Sequence, residues 1–165
     1  LRTVIQAVTR AQATRKIGLY IAGDGFLRAW VERWAQNARN VYVAGQINDS
    51  DQLATVMASA DALIHGSAAE TFGLVLAEAL CSGTPLIVPD AGASATFAGE
   101  GYAETYRAGD AEDGARAILK LLAGDRAAQS RAALAAAEAQ VLNVEQHFEK
   151  LFEIYERIVA ERSTR

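Results

Sequence analysis

Short apolar runs rich in β-formers alternate with helical patterns along this chain, on links of only a few residues. That alternation leaves few folds to choose among. The opening residues, Leu1 to about Ala13, carry Val4, Ile5 and Val8 at helical spacing. IGLYIA then reads as a buried strand ending at Gly23-Asp24-Gly25, and FLRAWVERWAQNA (26–38) as an amphipathic helix with Leu27, Trp30, Val31 and Trp34 on one side. The next strand is Asn40–Gly45, followed by a helix that Ser50 or Asp51 would cap and that runs to about Ser59. DALIHGS reads as a strand ending near His65, TFGLVLAEALCSG as a helix closed by Gly83, and LIVPD as another buried strand. After Asp90 a small-residue stretch reads as a loop with a short helical turn, GYAETYR as a last strand, and everything from Asp110 onward as helix. The expected fold is α/β: a single Rossmann-like domain over residues 1–165, its parallel sheet covered by helices on both faces.

Composition narrows the function classes. With 165 residues the chain can bury a real core, and no uncharged apolar run approaches the roughly 20 residues of a membrane span. The net charge is −4, with Arg scattered among Asp and Glu, so no basic face for nucleic acid is expected. Cys81 is the only cysteine, and His65 and His147 lie far apart, so neither a disulfide nor a metal site is expected. A cytoplasmic location fits this cysteine usage. The chain opens at Leu1 in the body of a helix with no strand before it, as expected of a piece from a longer polypeptide.

In open parallel sheets, ligands sit beyond the carboxyl ends of the strands, here the loops Gly23–Gly25, Gly45–Asn48, His65–Thr71 and Asp90–Ser94. Glycines there either admit a ligand or simply make the turn. The most informative stretch is Glu70-Thr-Phe-Gly-Leu-Val-Leu-Ala-Glu78. Glu70 falls in a loop and Glu78 on the helix after it, about 8 Å in. Leu74, Val75, Leu76, Ala77, Ala79 and Leu80 surround Glu78, so the helix is expected to be largely buried and Glu78 to need a partner. That partner is either a protein donor, such as Arg or Tyr, or a ligand hydroxyl. The helix start near Phe72-Gly73-Leu74 offers free N–H groups to a phosphate, with no Cβ on Gly73 to obstruct it. A nucleotide suits this layout, its phosphate at the helix mouth and its ribose hydroxyls on the carboxylate.

ETFGLVLAEALCSGTPLIVPD resembles the donor-site signature of retaining GT-B glycosyltransferases of the group 1 family. The marks are two Glu separated by seven residues, then Glu78, Ala79, Gly83 and Pro85 in an E-A-x-x-x-G-x-P stretch. IAGDGFLR resembles the same family's first donor-domain loop and ADALIHGS its strand before the motif, the likeness running in order from about Leu1 to Asp125. The resemblance implies the C-terminal donor-binding half of such an enzyme, with the N-terminal acceptor domain outside this chain. It implies that Glu70, the candidate catalytic residue, touches the donor sugar near the site of transfer, and that Glu78 binds ribose. It further implies that Phe72, Gly73 and Leu74 hold sugar and diphosphate through their backbone. Gly23, Asp24 and Gly25 would line the phosphate region, and Gln46 and Ile47 would lie near the base. The resemblance also implies a UDP or GDP sugar as the donor, no need of a metal or other cofactor, and a leaving phosphate that helps to deprotonate the acceptor.

Some features depart from that pattern. The family's Arg and Lys that neutralise the diphosphate precede the helix matching Leu1–Ala13, and Arg2 and Lys16 do not stand in for them. At His65 family members often carry another residue, and a histidine holding a structural hydrogen bond is the plainer reading there. Phe148, Leu151, Phe152, Ile154, Tyr155 and Ile158 form an apolar stripe on the last helix, in a region that packs on the N-terminal domain in the family. The alternative is packing within the same domain. The full-length enzyme would be cytoplasmic, with peripheral contact at the inner face of the membrane open to it. Against a dinucleotide-dependent oxidoreductase, the Gly23–Arg28 segment lacks a third glycine and the next strand ends without an acid. A phospho-receiver domain would need more than Asp24 and Asp90. A nucleotide-sugar epimerase of the same architecture and a non-catalytic nucleotide-binding domain remain as alternatives.

Overall fold

The computed structural model describes residues 1–36 and 38–163. Helix α1 (Arg2–Ala11) leads to strand β1 (Leu19–Ala22), α2 (Arg28–Ala35), β2 (Val41–Gly45), α3 (Ser50–Ser59), β3 (Leu63–Ile64) and α4 (Leu74–Cys81). Strand β4 (Leu86–Pro89), a 3-10 turn (Ala93–Phe97), β5 (Ala103–Tyr106), α5 (Ala111–Leu122), α6 (Arg126–Gln140) and α7 (Val144–Ser163) complete the order. All the strand pairs are parallel, as the short helix-bearing links require.

Local chemistry explains where the helices begin. Asp110 caps α5 by accepting from the amides of Glu112 and Asp113 at 2.9 and 3.0 Å, and Asp125 does the same for α6. The cap of α3 is Asp49, whose Oδ1 accepts from the Gln52 amide at 2.8 Å, and not Ser50 or Asp51. Asp49 wins because it alone keeps an extended backbone, so its side chain can fold back onto the first turn. Helix α2 is shorter than the expected 26–38, since Phe26 and Leu27 stay in the glycine turn, while position 37 lies outside the described residues.

Strand β4 organises the core. Leu86 and Val88 face one side with Leu76, Ala79 and Leu80 of α4, Met57 of α3, and Ala133, Ala136 and Ala137 of α6. Ile87 faces the other side with Val4, Val8 and Ala11 of α1 and Ile118 and Leu121 of α5. An all-buried strand of continuous apolar residues is what a parallel sheet covered on both faces demands.

The strands group into two sheets, β1-β2 and β3-β4-β5. Between β1 and β3 lies a cavity of about 1140 Å³ lined by Leu19, Ile21, Leu53, Leu63, Ile64 and Val4, among others. The backbone shows why both strands leave it open. Leu19 and Gly23 donate to Asn40 and Gly45 of the β2 side, and Leu63 and His65 donate to Pro85 and Ile87 of the β4 side. The alternate residues Tyr20, Ala22 and Ile64 therefore turn their main-chain groups toward the cavity.

Helix α7 exposes Val144, Phe148, Phe152, Tyr155, Ile158 and Val159. Of the stripe anticipated from the sequence, Ile154 is exposed as well and Leu151 is half-buried, while Val144 and Val159 join it. The alternative of full burial within the same domain does not hold.

Candidate functional site

The loops after β1, β2, β3 and β4 all emerge at the carboxyl end of the strands, and the loop after β3 is the most organised. Its Glu70 turns back on itself. One carboxylate oxygen, Oε1, accepts from the amides of Thr71, Phe72 and Gly73 at 3.0, 3.2 and 3.0 Å. The amides of Gly73, Phe72 and Thr71 hold this carboxyl below its ordinary range, outweighing partial desolvation, and His65 adds a smaller pull. The segment Thr71–Gly73 is thus an anion nest just ahead of α4, and in this structure its anion is the protein's own. This corrects the expectation of free amides at Phe72 and Gly73. A side chain three residues back reaches them first, as an N-terminal capping acid does.

Gly73 has a structural use of its own. It sits at φ 73, and a Cβ there would stand 2.8 Å from Cε2 of Phe97. Its missing side chain makes room for the aromatic ring and the left-handed turn. Phe72 and Leu74 flank it with side chains 76% and 67% exposed.

Glu78 corrects the sequence reading most clearly. The expected burial does not occur: Glu78 is exposed, and among the described residues its carboxylate has no hydrogen bond or ion pair. Helix α4 is apolar nearly all round, yet it buries only the stripe Leu76, Ala79 and Leu80 against α6 and β4. Leu74, Glu78 and Cys81, spaced by four and three, form the opposite, open stripe. No buried protein donor is needed, and among the described residues the carboxylate stands free one turn into the helix that the Glu70 nest precedes.

His65 lies at the end of β3 with its side chain only 13% exposed. Its Nε2 is 3.4 Å from Oε2 of Glu70, but the alignment gives no hydrogen bond, and this buried nitrogen has no other partner. Nε2 therefore makes no structural hydrogen bond; the one at His65 is at its backbone, where the Tyr106 hydroxyl donates to the His65 carbonyl at 2.7 Å. Burial holds the imidazole below its ordinary pKa, against an upward pull from Glu70.

On the far side of the cavity, the Gly23–Gly25 loop is folded around Asp24. Its Oδ1 accepts from the Gly25 amide at 2.7 Å and its Oδ2 from Arg28 at 2.8 Å. The Gly25 amide and Arg28 hold Asp24 below the ordinary carboxylate range. Arg28 also donates to Glu32 at 2.7 Å, and its guanidinium rests over Gly45. Sequence reading passed over Arg28; its one signal was the spacing of four from Asp24 across the helix start. Phe26 projects from this loop 96% exposed, and Ile47 is half-buried after β2. Among the described residues no three His, Cys, Asp or Glu side chains gather as metal ligands.

The family model for glycosyl transferases group 1 matches residues 1–140. The chain belongs to that family. A GDP-mannose-dependent alpha-mannosyltransferase of Mycobacterium tuberculosis is 38% identical over 88 residues, which is 53% of this chain and 22% of the relative. A GDP-mannose-dependent alpha-(1-6)-phosphatidylinositol dimannoside mannosyltransferase of the same organism is 43% identical over 70 residues, 42% of this chain and 18% of the relative. The chain thus spans about a fifth of the curated relatives it matches. Among solved structures, a sucrose-phosphate synthase from Thermosynechococcus elongatus superposes with a TM-score of 0.76 at 26% identity, over 97% of this chain and 43% of the other. The HepE protein of Anabaena, in a complex with UDP and glucose, gives 0.74 at 23% identity over 94% of this chain and 44% of its own. The group 1 chain has the GT-B type of fold, with parallel strands between helices. The epimerase alternative is not favoured by this match. Among the described residues no helix is long and apolar enough to cross a membrane.

Proposed function

We propose that this chain is the C-terminal donor-binding domain of a retaining glycosyltransferase that takes a hexose from a nucleoside diphosphate sugar. The single observation that carries the reading is the pairing, on one helix start, of a three-amide anion nest with a free, exposed carboxylate one turn beyond it. Thr71, Phe72 and Gly73 converge on a carboxylate oxygen already, and the first amides of α4 extend the same electropositive end. Ligand oxygens would take these amides over, with Leu74 included. Glu78, exposed and unpaired, would accept from ribose hydroxyls, and Glu70 would meet the sugar close to the bond that breaks. Gly23, Asp24 and Gly25 would border the phosphates across the cavity, and Gln46 and Ile47 the base.

GDP-mannose is the donor we assign, because the curated relatives are named as GDP-mannose-dependent mannosyltransferases. The acceptor would be held by an N-terminal domain of the longer polypeptide, for which the exposed face of α7 offers a packing surface. A cytoplasmic enzyme, touching the membrane's inner face peripherally, is the corresponding location. Transfer needs no metal in this reading, the leaving phosphate taking the acceptor's proton.

Titration of the chain with GDP, UDP and ADP, followed by amide NMR shifts, tests this. GDP is expected to move Thr71–Val75 and the residues around Glu78 at lower concentration than UDP or ADP. Saturable shifts confined to other loops would overturn the site, and a preference for UDP would overturn the donor.

A further inference from the structure

Glu70 has two carboxylate oxygens in unlike surroundings. Oε1 is held by three amides, whereas Oε2 faces only the imidazole of His65 at 3.4 Å. The imidazole in turn buries a ring nitrogen that bonds to nothing. A buried polar nitrogen left unpaired is costly, on the order of 1–3 kcal/mol in general, and small rotations of ring and carboxylate would remove that cost. While Oε1 sits in the amide nest, the carboxylate is held with Oε2 and Nε2 3.4 Å apart and no hydrogen bond between them. Those rotations become available when ligand oxygens claim the nest, which the functional reading above requires and on which this inference rests.

We propose that His65 is a positioning residue for Glu70: Nε2–H receives Oε2 as Oε1 gives up the amides, so that the carboxylate keeps a defined direction toward the sugar. A carboxylate accepts only, so the Nε2–H tautomer is the one that can pair with it. The surroundings favour that neutral ring. Two groups bear on His65: Glu70 from its own loop, and the Tyr106 hydroxyl of β5, which is spent on the His65 carbonyl. The geometry also fixes what His65 does not do. Its Nε2 is shut off from solvent, so it acts through Glu70 and not on the sugar itself.

Two measurements on the chain decide this. In the first, long-range nitrogen–proton NMR follows the His65 ring with pH in the native chain and in Glu70→Gln. Loss of the carboxylate's charge is expected to lower the His65 midpoint further and leave that of His147 in place. An unmoved His65 midpoint overturns the pairing whether or not any nucleotide binds. In the second, GDP and GDP-mannose affinities are compared for His65→Leu and His65→Gln, which keep volume while removing or restoring an N–H donor near Nε2. The expected result is about a tenfold loss for GDP-mannose in His65→Leu, the loss of one charge-assisted hydrogen bond, with GDP little changed and His65→Gln close to native. Equal losses in the two variants overturn the proposal. Absence of GDP binding both in this chain and in one extended upstream through the family's Arg and Lys overturns the functional reading instead, so the two failures are told apart.

Discussion

Gly92→Ala is expected to be among the most damaging single-methyl changes this domain can receive. Gly92 stands at φ 69 in the loop after β4, and a Cβ added there falls well inside contact distance of the Ala68 carbonyl oxygen and 3.2 Å from its carbonyl carbon. The obstruction is backbone, part of the loop that carries Glu70, so no side chain can swing aside to relieve it. A left-handed backbone costs a non-glycine residue about 1–2 kcal/mol, and forced overpacking adds about 1–3 kcal/mol, giving about 2–5 kcal/mol together. Gly109 supplies the control. It stands at φ 83 with nothing within 4 Å of its added Cβ, so Gly109→Ala should show the backbone cost of about 1–2 kcal/mol alone. At about 2–4 °C per kcal/mol for a domain of this size, Gly109→Ala should lower Tm by about 2–8 °C and Gly92→Ala by about 4–20 °C. Urea denaturation, with coincident fluorescence and circular dichroism transitions, gives the free energies directly. Equal losses in the two variants would refute the clash argument. A second readout follows from the placement: the amides of Thr71 to Gly73 should shift in Gly92→Ala and stay put in Gly109→Ala.

Glu78→Ala should leave the unfolding free energy within about 0.5 kcal/mol of native, as for an exposed residue without partners, while weakening GDP by about tenfold or more; unchanged affinity in the folded variant would remove the ribose assignment. Asp113 gives a pH prediction. The Arg116 side chain and the Arg107 amide hold it below the ordinary carboxylate range, so its folded pKa lies under its unfolded one. Its stabilisation is complete above the unfolded value of about 4 and is lost as pH falls through the folded value. Tm of Asp113→Asn should therefore lie below native at pH 7 and fall less steeply between about pH 5 and 2; parallel Tm curves would contradict this.

Much of the fold was legible because its signals are local. Strand β4 announces itself as an unbroken apolar run, and Asp110 and Asp125 precede helices whose amides they cap. The site was legible as a list of residues and not as an arrangement. Counting apolar neighbours around Glu78 suggested burial, but burial depends on which stripe of α4 meets α6 and β4, and that choice is made by distant parts of the chain. The Glu70 carboxylate was expected to wait for a ligand, whereas the amides of the next three residues offered it a nearer use. Arg28 was hidden for the opposite reason. Asp24 lies in the loop after β1 and Gly45 at the end of β2, and only the parallel pairing of β1 with β2 sets them together. The break between β1 and β3 carries no local signal at all, since β1 and β3 read as ordinary buried strands.

That break has a consequence for how the molecule opens. Residues of β1 and β2 hold one another through a single ladder, and Tyr20 and Tyr42 stack at 5.2 Å on a face that remains largely exposed. Strand β4, by contrast, has a neighbour on each side and helices on both faces. Local opening free energy follows the density of such contacts, so the β1-β2-α2 unit should unfasten as a sub-global unit well before the rest. Amide hydrogen exchange would show it as a step in protection: Ile21 and Val43 exchanging early and together, Ile87 and Val88 only with the whole domain. The halves of the site, Gly23–Gly25 on one unit and Glu70–Glu78 on the other, would then be coupled through a joint that yields, and any ligand spanning both would slow exchange in β1 and β2 far more than in β4.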